Sequence, residues 1–252
     1  MENNELEYSV PSYLDEIILP DKLSDNDYNN IELPSSIKDF VDYQLGCYNI
    51  SLDMGMINKF NILLYGKSGC GKTTLAKYIA YKGDLPYFCI NYFMVSSSDI
   101  YGLLKNMFHF VNDHRCVLCL DNIDVLLRDK VMSSYIAQEL DMLSNRVIVV
   151  ACTEDINKIE DRVRNRFTSI MQVKAYNIVD CCNIAREILY KAMHGVDIGL
   201  LYQSFVDYMR FENYGDFSEE DKYEYKYTIS HIMKTCNNII VSYLYDKNNG
   251  GK

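Results

Sequence analysis

Eight consecutive residues, Gly66-Lys67-Ser68-Gly69-Cys70-Gly71-Lys72-Thr73, constrain this chain more than any other feature. They match the pattern G-x-x-x-x-G-K-[ST] without deviation. They follow an apolar run, Phe60-Asn61-Ile62-Leu63-Leu64-Tyr65, that reads as a buried strand running into a turn. Glycines let the backbone curl so that successive N–H groups line one concavity. A helix opening at the end of the loop adds its positive N-terminal end. Such a concavity takes phosphate oxygens. Lys72 would reach the outer phosphates of a nucleotide and Thr73 would hold Mg2+ through its hydroxyl, so ATP and Mg2+ are the expected cofactors. The nucleotide-facing set comprises Gly66, Lys67, Ser68, Gly69, Cys70, Gly71, Lys72, Thr73 and Thr74.

Around this loop the pattern alternates. Helices fit residues 73–82, 97–113, about 131–144 and about 155–166, and strands fit 86–92, 115–121, 146–153 and 169–175. Continuous apolar strands between helices imply an α/β fold, a parallel sheet covered on both faces. After 176 the strands stop. Residues 177–245 read as about three helices, the last with Tyr227, Ile232, Cys236, Ile239 and Tyr243 near helical spacing, and 212–224 reads as a polar acidic loop. Upstream, residues 1–34 hold three of the four prolines and read as an extended arm, with Leu14, Ile17, Ile18 and Leu19 available to pack. Ser35 or Ser36 would cap a short helix through Leu45. The expected organisation is therefore an acidic arm (1–34), a nucleotide-binding α/β domain (35–175) and a helical lid (176–252).

Composition narrows the class. Of the 252 residues, 48% are hydrophobic, which excludes a disordered or collagen-like chain. No apolar run approaches the roughly 18 residues of a membrane span, and Met1–Val10 lacks the apolar segment of a secretory signal. Nine cysteines at scattered spacings point to free thiols in a reducing compartment. Residues 1–53 carry 12 acids against two lysines, so they account for the whole formal charge of −10. The remaining domain is neutral, and its charge argues neither for nor against nucleic acid.

Three further elements carry chemistry. Val117-Leu118-Cys119-Leu120-Asp121 is an apolar strand ending in a carboxylate, placed to share Mg2+ with Thr73. The next position is Asn122, where a hydrolysing enzyme of this kind needs an acid. An amide orients water but cannot take its proton, so slow or absent hydrolysis is expected, with Asp124 structural. Thr153, at the tip of the next strand, is a candidate γ-phosphate contact or simply a strand-end threonine. Arg162-Val163-Arg164-Asn165-Arg166-Phe167 closes the following helix. Arg166, with Arg162 behind it, is a candidate finger reaching a neighbouring subunit's nucleotide, since a planar fork pairs with phosphate and stays charged. The alternative is that these arginines solvate a helix C-terminus.

The loop, the strand-end Asp121, the strand tip at Thr153 and the arginine-closed helix, followed by a helical tail, resemble the AAA+ superfamily over about residues 36–245. The stretch from Val147 to Phe167 is similar to that of origin recognition complex subunit 4, which ends the same helix in R-V-K-S-R-F. That resemblance implies a nuclear, hetero-oligomeric ring of origin recognition complex subunits on duplex DNA. It implies Arg166 serving an adjacent ATP site, Arg162 supporting it, and a largely structural nucleotide in this chain. The chain departs from that family in three respects: no winged-helix domain follows residue 245, the loop from Thr153 to Arg162 is shorter, and the lid shows no clear G-x-R motif. A clamp-loader subunit and an independent remodelling ATPase remain alternatives. Cys116-x-x-Cys119 lies on a strand whose residues three apart face opposite ways, so it reads as core rather than half a zinc site. Cys181, Cys182 and Cys236 lack ligand spacing, and the four histidines are isolated. Tyr223, Tyr225 and Tyr227 read as helix packing rather than base stacking. DNA contact, if made by this chain, falls to loops near 93–100 and 126–132, with Arg128 and Lys130.

Overall fold

The computed structural model describes residues 16–18, 35–56, 59–91, 100–193, 197–212, 218 and 225–248. The rest of the arm, the loop at 93–99 and most of the acidic loop at 212–224 lie outside the described residues. The chain divides into two compact units, Met1–Tyr65 with Thr73–Met171, and Gly66–Lys72 with Gln172–Lys252.

The first unit is built on a sheet. Its strands are β1 (Glu16–Ile18), β2 (Asn61–Tyr65), β3 (Tyr87–Asn91), β4 (Cys116–Asp121), β5 (Val147–Thr153) and β6 (Ser169–Gln172), in the order β1-β3-β4-β5-β2-β6. The pairs β3–β4, β4–β5 and β5–β2 are parallel. All seven residues of β5 are buried, which explains its unbroken apolar sequence. The register sets Tyr65, the last residue before the glycine loop, opposite Thr153. The expected α/β architecture, a parallel sheet with flanking helices and a small C-terminal helical unit, is therefore what the chain adopts.

The arm contributes a feature that its composition did not announce. Residues Glu16–Ile18 pair antiparallel with β3, Ile17 opposite Phe88, and so cover an edge that would otherwise present unpaired backbone groups.

Helices pack around the sheet: α1 (Ser35–Asp53), α2 (Lys72–Gly83), α3 (Ile100–Asn112), the single turn α4 (Ile123–Leu126), α5 (Lys130–Met142) and the single turn α6 (Asp161–Arg164). Helix α1 runs well past the expected end at Leu45. Val41, Leu45 and Tyr48 keep one face buried, and Tyr48 Oη donates to the Arg146 carbonyl at 2.7 Å. Helix α3 buries Leu104, Met107, Phe108 and Val111, a stripe of period three to four. Each such burial contributes about 1.5–3 kcal/mol relative to exposure. Asp129 caps α5, accepting from Val131 N at 3.0 Å.

The helix expected over 155–166 is instead two short turns. Asp155 caps a 3-10 turn over Ile156–Lys158, the backbone extends at Ile159 and Glu160, and α6 then makes a single turn. Ile159 is 2% exposed and belongs to the core cluster. Driving that side chain inward requires extended backbone where a continuous helix would have carried it round.

The second unit contains the glycine loop and three helices, α7 (Ile178–Ala192), α8 (Ile198–Glu212) and α9 (Ile229–Asn248). Cys181, Ile184 and Leu189 of α7, Leu201, Phe205 and Met209 of α8, and Ile232 and Cys236 of α9 form its core. Asn177 caps α7, accepting from Asp180 N at 2.8 Å. Tyr176 and Tyr227 pair as an isolated antiparallel bridge ahead of α7 and α9. Among the described residues no helix is long and apolar enough to cross a membrane, and no group of His, Cys, Asp and Glu could hold a metal ion by itself.

Candidate functional site

The phosphate loop lies in the second unit. Gly66, Gly69 and Gly71 have φ of +152°, +75° and +96°, conformations that side chains rarely adopt. A Cβ at Gly66 would stand 2.1 Å from the Val173 carbonyl oxygen. Lys72, buried at 8% exposure, donates from Nζ to the carbonyls of Gly66 (2.7 Å) and Lys67 (3.0 Å). That leaves the ammonium folded across the loop that it serves. Cys70 is buried within the loop; burial pushes its thiol up while the Lys72 and Lys67 charges pull it down.

Sequence reasoning missed one participant. The start of α9 packs on the loop: Ser230 N donates to the Gly69 carbonyl at 3.4 Å, and a Cβ at Gly69 would stand 3.0 Å from the Ser230 hydroxyl and 3.1 Å from that of Thr228. Thr228 also caps α9, accepting from His231 N at 3.2 Å. A Thr-x-Ser opening an amphipathic helix was the available signal, but nothing local says that it meets residues 66–71.

The pair expected to share Mg2+, Thr73 and Asp121, lies in the first unit. Thr73 Oγ1 donates to Asp121 Oδ2 at 3.1 Å. A hydroxyl and a carboxylate oxygen converging at that distance are hard donors of the kind Mg2+ takes, so the residues present fit the ion. Thr74 follows in the same first turn of α2. Asp121 Oδ1 accepts from Asn122 N at 3.1 Å. Asn122 stands at φ 52°, ψ 43°, a left-handed conformation that asparagine tolerates, at the start of α4.

Thr153 is fully buried and turned inward. Its hydroxyl lies 3.2 Å from Asp124 Oδ1 and 3.3 Å from the Asp155 carbonyl, and it accepts from Asp155 N. Asp124 also faces Lys158 Nζ at 3.7 Å, which gives Asp124 the structural setting expected of it. At the tip of β5 the exposed residue is Glu154.

The candidate fingers sit on α6 and just beyond it. Arg166 Nε and Nη2 lie 3.2 Å and 3.0 Å from Asp141 Oδ2, and Nη1 donates to the Arg162 carbonyl. Arg162 Nε pairs with Glu160 at 2.7 Å, and Nη1 donates to Ser134 Oγ at 2.6 Å. Arg164 pairs with Asp161. The three arginines thus have three separate carboxylate partners, and Arg166 also donates to a carbonyl of α6, as an arginine closing a helix does. Arg128 and Lys130, the cations named for DNA, flank Asp129 at the start of α5.

Residues 62–175 match the model of the ATPase family associated with various cellular activities (AAA). No curated protein matches the chain. A solved structure described as "Structural Basis for Katanin Self-Assembly" is similar, with TM-score 0.58 and 16% identity, covering 88% of this chain and 87% of that one. At that identity the likeness is one of fold.

Proposed function

We propose that this chain is an ATP-binding AAA+ subunit of a ring-forming assembly, holding nucleotide between subunits rather than turning it over alone. The observation that carries this is Asn122: an intact glycine loop and a Thr73–Asp121 pair are followed by an amide where water activation needs an acid. Lys72 and the loop amides would hold the phosphates, and Thr73 with Asp121 would hold Mg2+. Bound Mg2+ would supply charge neutralisation between the outer phosphates. Arg166 would complete the nucleotide site of a neighbour, because its guanidinium reaches the surface with its orientation fixed.

Within that class we favour a subunit of the origin recognition complex, acting in the nucleus in a hetero-oligomer on duplex DNA at replication origins. Its support is the Arg162-Val163-Arg164-Asn165-Arg166-Phe167 close together with Asn122. A self-assembling remodelling ATPase is the alternative, favoured by the fold likeness to a structure described by katanin self-assembly. A clamp-loader subunit has no comparable observation behind it. The deciding experiment is a pull-down of the tagged chain from native extract with and without ATP. Recovery of other origin complex subunits, lost with Lys72→Ala, supports the favoured assignment. Recovery of the chain with itself alone rejects that assignment and supports the alternative.

A further inference from the structure

Arg166 is held from three sides, all within the first unit. Its guanidinium has five N–H donors. Nε and one Nη2 hydrogen point at Asp141, and one Nη1 hydrogen goes to the Arg162 carbonyl. Among the described residues two donors remain, one on each terminal nitrogen. Its backbone is fixed as well. The buried Asn61 side chain donates from Nδ2 to the Arg166 carbonyl at 3.0 Å, and Asn61 shares three further hydrogen bonds with Thr168. Asp141 is itself anchored, since Lys59 Nζ donates to the carbonyls of Leu140 (2.6 Å) and Asp141 at the end of α5.

We infer that Asp141 is the positioning residue for a trans-acting Arg166, fixing its guanidinium with donors left on both terminal nitrogens rather than sequestering it. A sequestering carboxylate would take the terminal fork. Here it takes the Nε and Nη2 edge, and an N–H on each terminal nitrogen is left without a partner among the described residues. A freely rotating arginine loses much of its advantage to side-chain entropy, which a fixed side-on carboxylate removes before the neighbour arrives. Asp141 touches no nucleotide in this role and acts only through Arg166. The inference rests on the proposed finger role of Arg166.

The test is steady-state ATPase of the assembly that co-purifies with the tagged chain, comparing wild type with Arg166→Ala, Asp141→Asn, Asp141→Glu and Arg166→Ala/Asp141→Asn. ATP affinity and melting of each isolated chain serve as folding controls. The expected result is a roughly tenfold loss of kcat at unchanged KM for Asp141→Asn and substantial recovery in Asp141→Glu. The double variant should be no slower than Arg166→Ala. A wild-type or raised rate for Asp141→Asn beside a slow Arg166→Ala overturns the positioning role and leaves the finger standing. A wild-type rate for Arg166→Ala, or a chain that stays monomeric with ATP, overturns the finger and the positioning role together.

Discussion

Replacing Gly66 with alanine places a methyl carbon 2.1 Å from the Val173 carbonyl oxygen, at φ +152°. Two costs follow. An alanine in that sparsely populated conformation is strained by about 1–3 kcal/mol. Relieving a clash with backbone rather than with a flexible side chain costs about 1–3 kcal/mol more. Lost freedom in the unfolded chain returns about 0.4–1 kcal/mol. The net loss is about 2–5 kcal/mol. Gly69→Ala is the internal control. Its φ of +75° costs about 1–2 kcal/mol, and its nearest new neighbours are Ser230 Oγ at 3.0 Å and Thr228 Oγ1 at 3.1 Å, hydroxyls that can rotate away. After the same offset it loses about 1 kcal/mol. Both residues lie in the second unit. Urea unfolding is followed by circular dichroism and by tyrosine fluorescence, the chain having no tryptophan. Two transitions are fitted if the units part, and m-values are compared between variants. Gly66→Ala is expected to fall below Gly69→Ala by at least about 1 kcal/mol, on the low side of these ranges. Equal stability of the two variants within about 0.5 kcal/mol would refute the backbone-clash argument for this loop.

Other outcomes follow from the same geometry. Asn122→Asp restores a carboxylate at a left-handed position that aspartate also tolerates. Stability should hold while ATP turnover of the assembly rises by tenfold or more, and an unchanged rate would show that the amide is not what limits hydrolysis. Lys59→Ala removes a cation from the last carbonyls of α5 and should cost the first unit about 1–2 kcal/mol in urea unfolding, whereas a neutral result would make the contact incidental. Burial raises the thiols of Cys116 and Cys236 from the usual 9.0 to about 12, which favours the protonated form in the folded chain. Their contribution is therefore fully present below pH 9 and is lost as pH rises from 9 towards 12. The decline is about 1 kcal/mol per thiol per pH unit, and urea curves at pH 8 and pH 10 that coincide would exclude it.

Much of the fold was legible because its signals are local. Residues 62–64 and 147–153 are buried throughout, so their strands read as apolar runs, and the glycine loop is a contiguous motif. What was not legible depends on partners distant in sequence. Glu16–Ile18 becomes a strand only because β3 offers an edge. The break at Ile159 follows from a core position available to that side chain, not from a proline or glycine. Thr153 read correctly as the end of a strand, but whether its hydroxyl faces nucleotide or core depends on Asp124, 29 residues away. Arg166 stands out as a candidate by its helix-closing motif, whereas Asn61 and Asp141, which hold it, lie 105 and 25 residues away and carry no motif of their own. The Thr228–Ser230 contact with Gly69 is of the same kind.

The most direct test of the account is calorimetric titration of ATP into the purified chain with Mg2+, beside Lys72→Ala and Thr73→Ala. The account predicts one site per chain, binding lost with Lys72→Ala, and in Thr73→Ala a loss of the Mg2+ dependence with weaker residual affinity. Binding of equal strength in wild type and Lys72→Ala, or none in the wild-type chain, would contradict it.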